Sequence, residues 1–547
     1  MLPNALTLAA MLAFSSHVAA MDDATLARTV DARLSGDRTG ACFAVAVIER
    51  DHVARTFRCA GGEDAPRIGP DSAFEIGSVS KTMTAALLAR LIIDGDASLD
   101  DPLADHLPAG TPVPAFEGQP ILLRHVVTHT SGLPALPARM PVTDPADPYA
   151  ALTDQALLAS LGDVTLTRAP GAQFEYSNFA SMLLSYAVAR RAGQPFDTLI
   201  RTQLFAPLGM DHAYIADRPD DVRVAAGHLP NGHETAAWTF PADLAGVGGV
   251  RATLEDMVRY TQAQLGLLEV AAPVRAALRM TRQPVSETPP MAMHWMIAPL
   301  AGRQVLMHEG GTGGFSSLVG FDPARGRGVV VLSDTALTAL GGLGNIGAHL
   351  LDASVPLGKP RRVATAPAEL VDGLVGSWRL ENGLQVELAR KGDTLTLRPA
   401  GQPVFELGYD DAGDFYPQQF DALLSPQRTS DGSWTFVWRQ GGGALPAVRV
   451  DAAVGRADAA TLDAATLSQY AGRYTLMPGF ELTVDAADGR LRAQATGQGA
   501  FALDASGSDA FEAAAFGIEL RFQRDAEGEV TSLELHQGGQ VLRGVRG

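Results

Sequence analysis

SVSKTMTAALLARL, residues 78–91, is the most informative stretch of this 547-residue chain. It opens with the pattern Ser78-x-x-Lys81 and continues as a run of good helix formers. Residues three apart share one face of a helix, so we expect the Lys81 amine to lie directly behind the Ser78 hydroxyl. The start of a helix also directs free backbone N–H groups and positive partial charge toward that hydroxyl. The stretch therefore predicts a helix whose beginning presents a serine and a lysine together.

This pair has the chemistry of an activated nucleophile. A serine hydroxyl is a weak nucleophile until a neighbouring base removes its proton. Lysine can act as that base when burial lowers its pKa, whereas arginine cannot lose its proton. Of the 43 basic residues, only Lys81, Lys359 and Lys391 are lysines, so a chance Ser-x-x-Lys is expected roughly 0.14 times. The alternative interpretation is a lysine on the exposed face of a surface helix.

Two further motifs follow along the chain. Tyr176-Ser177-Asn178 precedes a second apolar helical run; a tyrosine near Lys81 could relay the serine proton, and an asparagine can bind a substrate amide. The segment HEGGTGGFSS, residues 308–317, precedes an apolar strand, and its glycines would let a strand edge approach a substrate closely. The alternatives are a structural turn for the first motif and a tight hairpin with a solvent-facing histidine for the second.

Ser-x-x-Lys, Tyr-x-Asn and His-x-Gly, in this order, resemble the motifs of the β-lactamase-related serine hydrolases. That family includes class C β-lactamases, serine DD-peptidases, D-aminopeptidases and esterases. The resemblance covers about residues 30–350 and includes the segments 122–134 and 245–257. It implies an α/β (α+β) catalytic domain of the β-lactamase/transpeptidase-like fold, with an antiparallel sheet, an all-α subregion and the serine at their junction.

Carried over by position, the resemblance implies that Ser78 is the acylated nucleophile and that Lys81 and Tyr176 share the roles of general base and general acid. It implies that the substrate is bound by Asn178, His308 and Gly310. The backbone N–H groups of Ser78 and Gly311 would form the oxyanion hole. Class C β-lactamases have Lys-Thr-Gly where this chain has His308-Glu309-Gly310. A histidine is only partly charged near neutral pH, so it is a weaker anchor for a substrate carboxylate than lysine. This departure argues against efficient β-lactam hydrolysis.

The resemblance implies hydrolysis through an acyl-enzyme on Ser78, acting on amide bonds of D-amino-acid peptides or β-lactams. Two alternatives remain open: a carboxylesterase acting on small esters, and a catalytically weak cell-wall or penicillin-binding protein. The expected partner is a small-molecule or short-peptide substrate, and no metal or organic cofactor is needed. His125 and His129 are four residues apart, as in some zinc sites, but no third ligand is evident.

Composition limits the classes of partner. The chain has 61 acidic and 43 basic residues, a formal charge of −18. Binding to nucleic acid or an anionic membrane depends on clustered Lys and Arg side chains that release counterions from the partner. The sequence has no such cluster, which argues against both partners. A hydrophobic content of 46% with 19% charged residues is typical of globular proteins, and no segment beyond residue 20 is long and apolar enough to span a membrane.

The N-terminal region indicates export. Residues 1–20 contain a short apolar stretch followed by Val18-Ala19-Ala20, typical of a signal peptide, and predict a bacterial protein that is periplasmic or secreted. Cys42 and Cys59 flank what reads as two short strands around a central turn, so a symmetric hairpin places them opposite each other at disulfide distance. The alternative is a pair of buried free thiols.

The C-terminal region is duplicated. A polar, proline-bounded linker at 359–367 separates a catalytic domain, 21–358, from short alternating runs that read as strands and turns. Residues 376–407 align without gaps to 472–503, at a constant offset of 96 residues. Two copies are too few for a solenoid. The duplication predicts two small all-β domains, barrels or sandwiches, at 368–455 and 456–547. The tail also resembles the β-barrel domains appended to some D-aminopeptidases, which implies that the two domains are barrel-like.

Overall fold

A computed structural model describes residues 21–61, 67–440, 443–450, 463–477, 480–487, 489–495, 500–513, 518–525, 527–537 and 540–547. The chain forms two compact units: Met1–Ser35 with Ala41–His228 and Glu234–Lys359, and Gly36–Gly40 with Leu229–His233 and Pro360–Gly547. The predicted signal peptide, residues 1–20, lies outside the described residues. Within the described ranges, no helix has the length and apolar character needed to cross a bilayer.

The first unit is built on an antiparallel sheet that, in the described residues, has eight strands. Side chains of a strand alternate between its two faces. Cys42, Ala44, Ala46 and Ile48 accordingly pack into one core, while Phe43, Val45 and Val47 pack into another on the opposite face. The strands are, in order across the sheet, Ser286–Glu287, Pro290–Met291, Met296–Leu300, Arg303–Gly311, Ser316–Asp322, Arg327–Ser333, Cys42–Ile48 and Val53–Cys59.

Helices cover both faces of this sheet. Asp23–Leu34 and Gly344–Leu351 supply leucine, valine and isoleucine side chains to one core, and Leu254–Leu265 contributes to the other together with an all-α region. Ser80–Asp94 is buried from Ser80 to Ala89 without a polar face, as expected of a helix enclosed by others. The remaining helices of this unit are Leu123–Val127, Asp154–Ala159, Asn178–Ala192, Phe196–Ile200, Ala206–Leu208 and Ala272–Thr281.

The hairpin at the sheet edge has paired cysteines. Cys42–Ile48 pairs with Val53–Cys59 in a register that sets Cys42 opposite Cys59, and a disulfide joins the two residues. In a smaller sheet, Ser72–Glu75 pairs with Arg223–Val224 and Arg251–Ala252. The strand Ser72–Glu75 directly precedes the segment that contains Ser78.

The second unit contains two antiparallel barrels, each closed by eight strands in the part of the chain that the structure describes. The first consists of Gly376–Leu380, Gln385–Lys391, Thr394–Pro399, Phe405–Tyr409, Phe415–Pro417, Leu423–Arg428, Trp434–Gln440 and Gly443–Arg449. The second consists of Gly472–Met477, Phe480–Ala487, Arg490–Ala495, Phe501–Gly507, Ala510–Ala513, Ile518–Arg524, Val530–Gln537 and Gln540–Arg546.

Each barrel begins in the same way. A short helix, Ala368–Leu374 or Ala464–Ser468, precedes the first strand. The buried aromatic residue of that strand donates a hydrogen bond to the carbonyl four residues earlier, from Trp378 to Leu374 and from Tyr474 to Tyr470. These pairs are related by the 96-residue offset. The predicted fold class, a β-lactamase-like domain followed by two barrel-like domains, is confirmed, while the exact domain boundaries remain a prediction.

Candidate active site

Ser78 and Lys81 lie where a 3-10 turn, Gly77–Val79, continues into the helix Ser80–Asp94. In a 3-10 turn, side chains three residues apart stand nearly above one another. The Lys81 Nζ accordingly lies 2.8 Å from the Ser78 Oγ, within hydrogen-bond distance. Local backbone geometry alone brings together the two side chains that the motif pairs.

The surroundings of Lys81 favour a neutral amine. The side chain is 1% exposed, and its Nζ also donates to the carbonyl oxygen of Val247 over 2.8 Å. No carboxylate in the described residues forms an ion pair with it. Burial lowers the pKa of the Lys81 amine well below its usual range. A neutral amine can keep its bond to Val247 and accept a proton from Ser78.

Tyr176 approaches Ser78 from a different element, just before the helix Asn178–Ala192. Its side chain interacts with Ser78, and its ring centroid lies 5.1 Å from the Lys81 Nζ. Desolvation raises the pKa of Tyr176 above its ordinary value, and the interaction with Ser78 opposes only part of that shift. Although the residue as a whole is 37% exposed, desolvation is the largest influence on the pKa of its hydroxyl. Tyr176 therefore remains a proton donor at neutral pH.

The strand that contains Gly310 and Gly311 passes the Ser78 turn at close range. A Cβ atom on Gly77 would lie 2.6 Å from the backbone nitrogen of Gly311, and one on Gly310 would lie 2.0 Å from the carbonyl oxygen of Ile76. Gly77 also has a φ of +50°, in the left-handed region that favours glycine. The backbones around Ser78 and Gly311 are thus neighbours, as an oxyanion hole built from their N–H groups requires.

His308 lies on the same strand and is buried. Its Nδ1–H donates to the carbonyl oxygen of Glu309 over 2.7 Å, which leaves Nε2 as a hydrogen-bond acceptor. Burial lowers the pKa of His308 to about 3. His308 is therefore neutral at physiological pH. It cannot hold a substrate carboxylate through charge, as a lysine at this position could.

The site residues described above all lie within the range that one protein-family model matches. A model described as beta-lactamase matches residues 23–350, more than half of the chain. The chain belongs to the β-lactamase family. A second model, described as a domain of unknown function (DUF3471), matches residues 456–546.

Similar members of the β-lactamase family carry different names. The D-alanyl-D-alanine-carboxypeptidase/endopeptidase AmpH of Escherichia coli (strain K12) is 31% identical over 321 residues, which cover 54% of this chain and 80% of that protein. Esterase EstB of Burkholderia gladioli is 29% identical over 259 residues, covering 40% of this chain and 64% of its own length. A crystal structure of a beta-lactamase/D-alanine carboxypeptidase from Yersinia pestis, complexed with citrate, has a TM-score of 0.47 and 27% identity, covering 56% of this chain and 92% of that chain.

Around the β-lactamase-family motifs lies an aromatic cluster, Tyr149, Trp238 and Phe240, that the sequence did not reveal. Tyr149 is buried, stacks on Phe240 at 4.8 Å and meets Trp238 edge to face at 5.2 Å. Burial raises the pKa of the Tyr149 hydroxyl, and its interaction with the Asn178 side chain opposes part of that shift. These residues come from loops far apart in sequence, so no local pattern could have indicated them. Through Tyr149, this cluster lies next to Asn178, the residue that the Tyr-x-Asn motif assigns to substrate binding.

His125 and His129, the pair with zinc-like spacing, have separate roles. His125 accepts a hydrogen bond from the backbone N–H of Leu122 through Nδ1, at 3.1 Å. The His129 ring instead stacks on Tyr176, with centroids 4.2 Å apart. In the described residues, no group of three histidine, cysteine or acidic side chains could hold a metal ion. The sequence analysis did not reveal the contact of His129 with Tyr176.

Proposed function

We propose that this chain is a serine hydrolase that forms an acyl-enzyme on Ser78 and hydrolyses amide bonds of D-amino-acid peptides or β-lactams. The observation that carries the proposal is the 2.8 Å contact between the Ser78 Oγ and the Nζ of buried Lys81. A nucleophile and a base at hydrogen-bond distance, with the base held neutral, are what covalent catalysis requires. Membership of the β-lactamase family supports the same reaction.

The proposed acylation moves one proton in a closed sequence. The Lys81 amine takes the proton of Ser78 as Oγ attacks the carbonyl carbon, and the backbone N–H groups of Ser78 and Gly311 stabilise the oxyanion. Tyr176 gives its proton to the leaving nitrogen as the amide bond breaks, and the Lys81 ammonium restores that proton. The raised pKa of Tyr176 and the lowered pKa of Lys81 both support these assignments.

Deacylation uses the same groups in the same roles. A water molecule loses its proton to the neutral Lys81 amine and attacks the ester carbon; Ser78 Oγ leaves with a proton from Tyr176, and the Lys81 ammonium restores that proton to Tyr176. The Asn178 amide, which interacts with Tyr149, is assigned to the acyl side of the substrate. His308 Nε2 and the Gly310 backbone are assigned to the other side.

The neutral state of His308 favours a second candidate, a carboxylesterase acting on small esters. A carboxypeptidase substrate ends in a carboxylate beside the scissile bond, and His308 carries no charge to bind it. An ester needs no such anchor. The relative named Esterase EstB supports this candidate, and the relative named D-alanyl-D-alanine-carboxypeptidase/endopeptidase supports the first.

Export is part of the proposal. The disulfide between Cys42 and Cys59 supports it, because disulfides persist in oxidising compartments.

Parallel turnover assays on the full chain would separate the candidates. The substrates are a peptide ending in D-alanyl-D-alanine, nitrocefin and p-nitrophenyl acetate, each tested on wild type, Ser78→Ala and His308→Lys. Release of D-alanine, or opening of nitrocefin, by wild type supports amide hydrolysis. Ester turnover alone, with peptide activity gained only in His308→Lys, supports the esterase. Turnover that survives Ser78→Ala, or no turnover by wild type, would overturn the proposal.

A further inference from the structure

The residues directly before and after Tyr176 each donate a backbone hydrogen bond to the same residue, His129. The backbone N–H of Glu175 donates to the carbonyl oxygen of His129 over 2.8 Å, and the N–H of Ser177 donates to its Nδ1 over 3.2 Å. His129 has a φ of +54°. In this left-handed conformation its carbonyl and its ring both contact the segment that carries Tyr176.

The His129 ring also supports the Tyr176 ring directly. The two rings are stacked, with centroids 4.2 Å apart and an interplanar angle of 27°. The His129 ring also contacts the ring of His294, with centroids 4.9 Å apart. Both histidines are fully buried, and burial lowers the pKa of each well below the usual range. The support behind Tyr176 is therefore neutral and adds no positive charge beside Lys81.

The conformations and the burial of His129 and His294 lower the stability of the folded chain. His129 and His294 are two of five non-glycine residues with positive φ in the described part of the chain. The His129 Nε2 and both ring nitrogens of His294 are buried and find no hydrogen-bond partner among the described residues. Strain and unmade hydrogen bonds each lower the free energy of unfolding. Where both occur at one place beside reacting groups, a functional role is the better explanation.

We propose that His129 is a positioning residue that holds the Tyr176 hydroxyl on Ser78, with His294 supporting its ring from behind. The proposal rests on the proposed function. It assigns His129 no proton transfer and no contact with substrate. Its contribution is geometric, and a displacement of about 1 Å at a reacting group can reduce a rate by about 10²-fold.

The test compares three variants of the full chain with p-nitrophenyl acetate as substrate. His129→Ala removes the ring and the Nδ1 acceptor. His129→Asn removes the ring but keeps an acceptor for Ser177 N–H, and asparagine tolerates positive φ. His125→Ala is the matched control, because His125 makes the same kind of hydrogen bond, to Leu122 N–H, without touching Tyr176.

We expect His129→Ala to lower kcat by about 10²-fold with KM changed by less than about threefold, and His129→Asn to recover part of that loss. His125→Ala should retain wild-type kcat. Equal kcat in wild type and a folded His129→Asn or His129→Ala, or equal losses at positions 125 and 129, would overturn the positioning role. Wild-type turnover that depends on Ser78 would leave the proposed function standing in either case.

A second, independent observation concerns the first barrel, whose interior is not filled. It contains a cavity of about 210 Å³. Nine of the lining residues are apolar, none is charged, and the polar ones are Gln402 and Gln440. The complete lining is Leu380, Leu384, Val386, Leu397, Pro399, Gln402, Phe405, Phe420, Phe436, Trp438 and Gln440.

The cavity has a polar end and an apolar end. Leu397 and Phe436 are buried, whereas Gln402 and Gln440 are exposed and mark the opening. The Trp438 indole N–H donates to the Gln440 Oε1 over 3.2 Å, which orients that amide. An engineered apolar cavity of about 150 Å³ binds benzene, so this volume suffices for one aromatic ring with a short substituent.

We propose that the first barrel binds an uncharged, single-ring aromatic compound whose hydroxyl or amide group faces Gln402 and Gln440. The probe is benzyl alcohol, measured by ligand-detected NMR and by Trp438 fluorescence on the full chain. Leu384→Trp fills the opening. The matched control is Val404→Trp, which adds the same ring at a position that is 55% exposed and outside the lining.

We expect saturable binding by wild type and Val404→Trp, and at least tenfold weaker binding by Leu384→Trp. The fluorescence change should disappear in Trp438→Phe, which keeps an aromatic ring in place. An absence of binding by wild type, undiminished binding by Leu384→Trp, or a fluorescence change that survives in Trp438→Phe would overturn the proposal.

Discussion

At the scale of single residues, the chemistry of the site depends on how Lys81 is surrounded. An amine in water is protonated at neutral pH and cannot act as a base. The buried Lys81 meets a carbonyl and a hydroxyl but, in the described residues, no carboxylate ion pair. Its surroundings therefore stabilise the neutral form, which is the form that the proposed mechanism requires of the base beside Ser78.

Lys81→Arg should abolish most activity, because a guanidinium keeps its proton under all relevant conditions. We expect kcat/KM with p-nitrophenyl acetate to fall by about 10²- to 10⁴-fold. Lys391→Arg is the control, since Lys391 is exposed and forms an ion pair with Glu406 on the first barrel. Similar activity in Lys81→Arg and wild type would exclude Lys81 as the base.

Lys81→Met should make the protein more stable. The pKa of Lys81 is lower in the folded than in the unfolded chain, so between those two values the unfolded state binds a proton that the folded state does not. Above the unfolded pKa, Lys81 is neutral in both states, and its titration does not lower the free energy of unfolding. As pH falls from there toward the folded pKa, the unfolded state gains a proton first and the free energy of unfolding decreases. We expect Lys81→Met to raise the denaturation midpoint at pH 7, and to raise it less near pH 10. Urea titrations at both pH values measure this, and a variant less stable than wild type at pH 7 would contradict it.

At the scale of elements, the site depends on the close approach of the strand Arg303–Gly311 to the turn Gly77–Val79, with no side chain between the two backbones. Gly310 faces the carbonyl of Ile76, and the hydroxyl of Ser317 donates to the same carbonyl over 2.7 Å. This approach keeps the Gly311 backbone beside Ser78. Any side chain at these glycines must push the two elements apart.

Gly310→Ala should lower both stability and activity. Its Cβ would lie 2.0 Å from a backbone oxygen, which cannot rotate away. We expect a loss of about 1 to 3 kcal/mol in the free energy of unfolding and a lower kcat, measured by urea denaturation and ester turnover. Gly61→Ala is the control, because no atom that the structure describes, apart from its chain neighbours, lies within 4 Å of the added methyl group. Equal behaviour of the two variants would show that the close approach is unimportant.

Elements also explain which parts of the site could be predicted. Ser78 and Lys81 are close because of the turn and helix that carry them, so spacing in the sequence was sufficient. The contact of His129 with Tyr176, and the position of Trp238 beside Tyr149, depend on loops that only tertiary packing brings together. Apolar patterning does not encode such contacts. For the same reason, the charge state of His308 became clear only once its burial was known.

At the scale of the whole molecule, the chain divides into two compact units with different architectures. The alternating pattern and the duplication predicted small β domains, because strand alternation is a local signal. Closure of each barrel could not be predicted in this way. It depends on pairing between the first and last strands, such as Trp378 with Arg449, which are remote in sequence.

Two units should unfold in more than one step. Separate cores generally give separate transitions in calorimetry, and a covalent inhibitor on Ser78 should raise the midpoint of only the transition that belongs to the first unit. Scanning calorimetry with and without a fluorophosphonate measures this. A single transition with equal calorimetric and van't Hoff enthalpies would contradict the expectation.

Mass spectrometry of the fluorophosphonate-treated chain tests most directly whether Ser78 is the nucleophile. We expect one adduct per chain, located on the peptide that contains Ser78, and none on Ser78→Ala. An adduct on another residue of wild type, or equal labelling of Ser78→Ala, would contradict it.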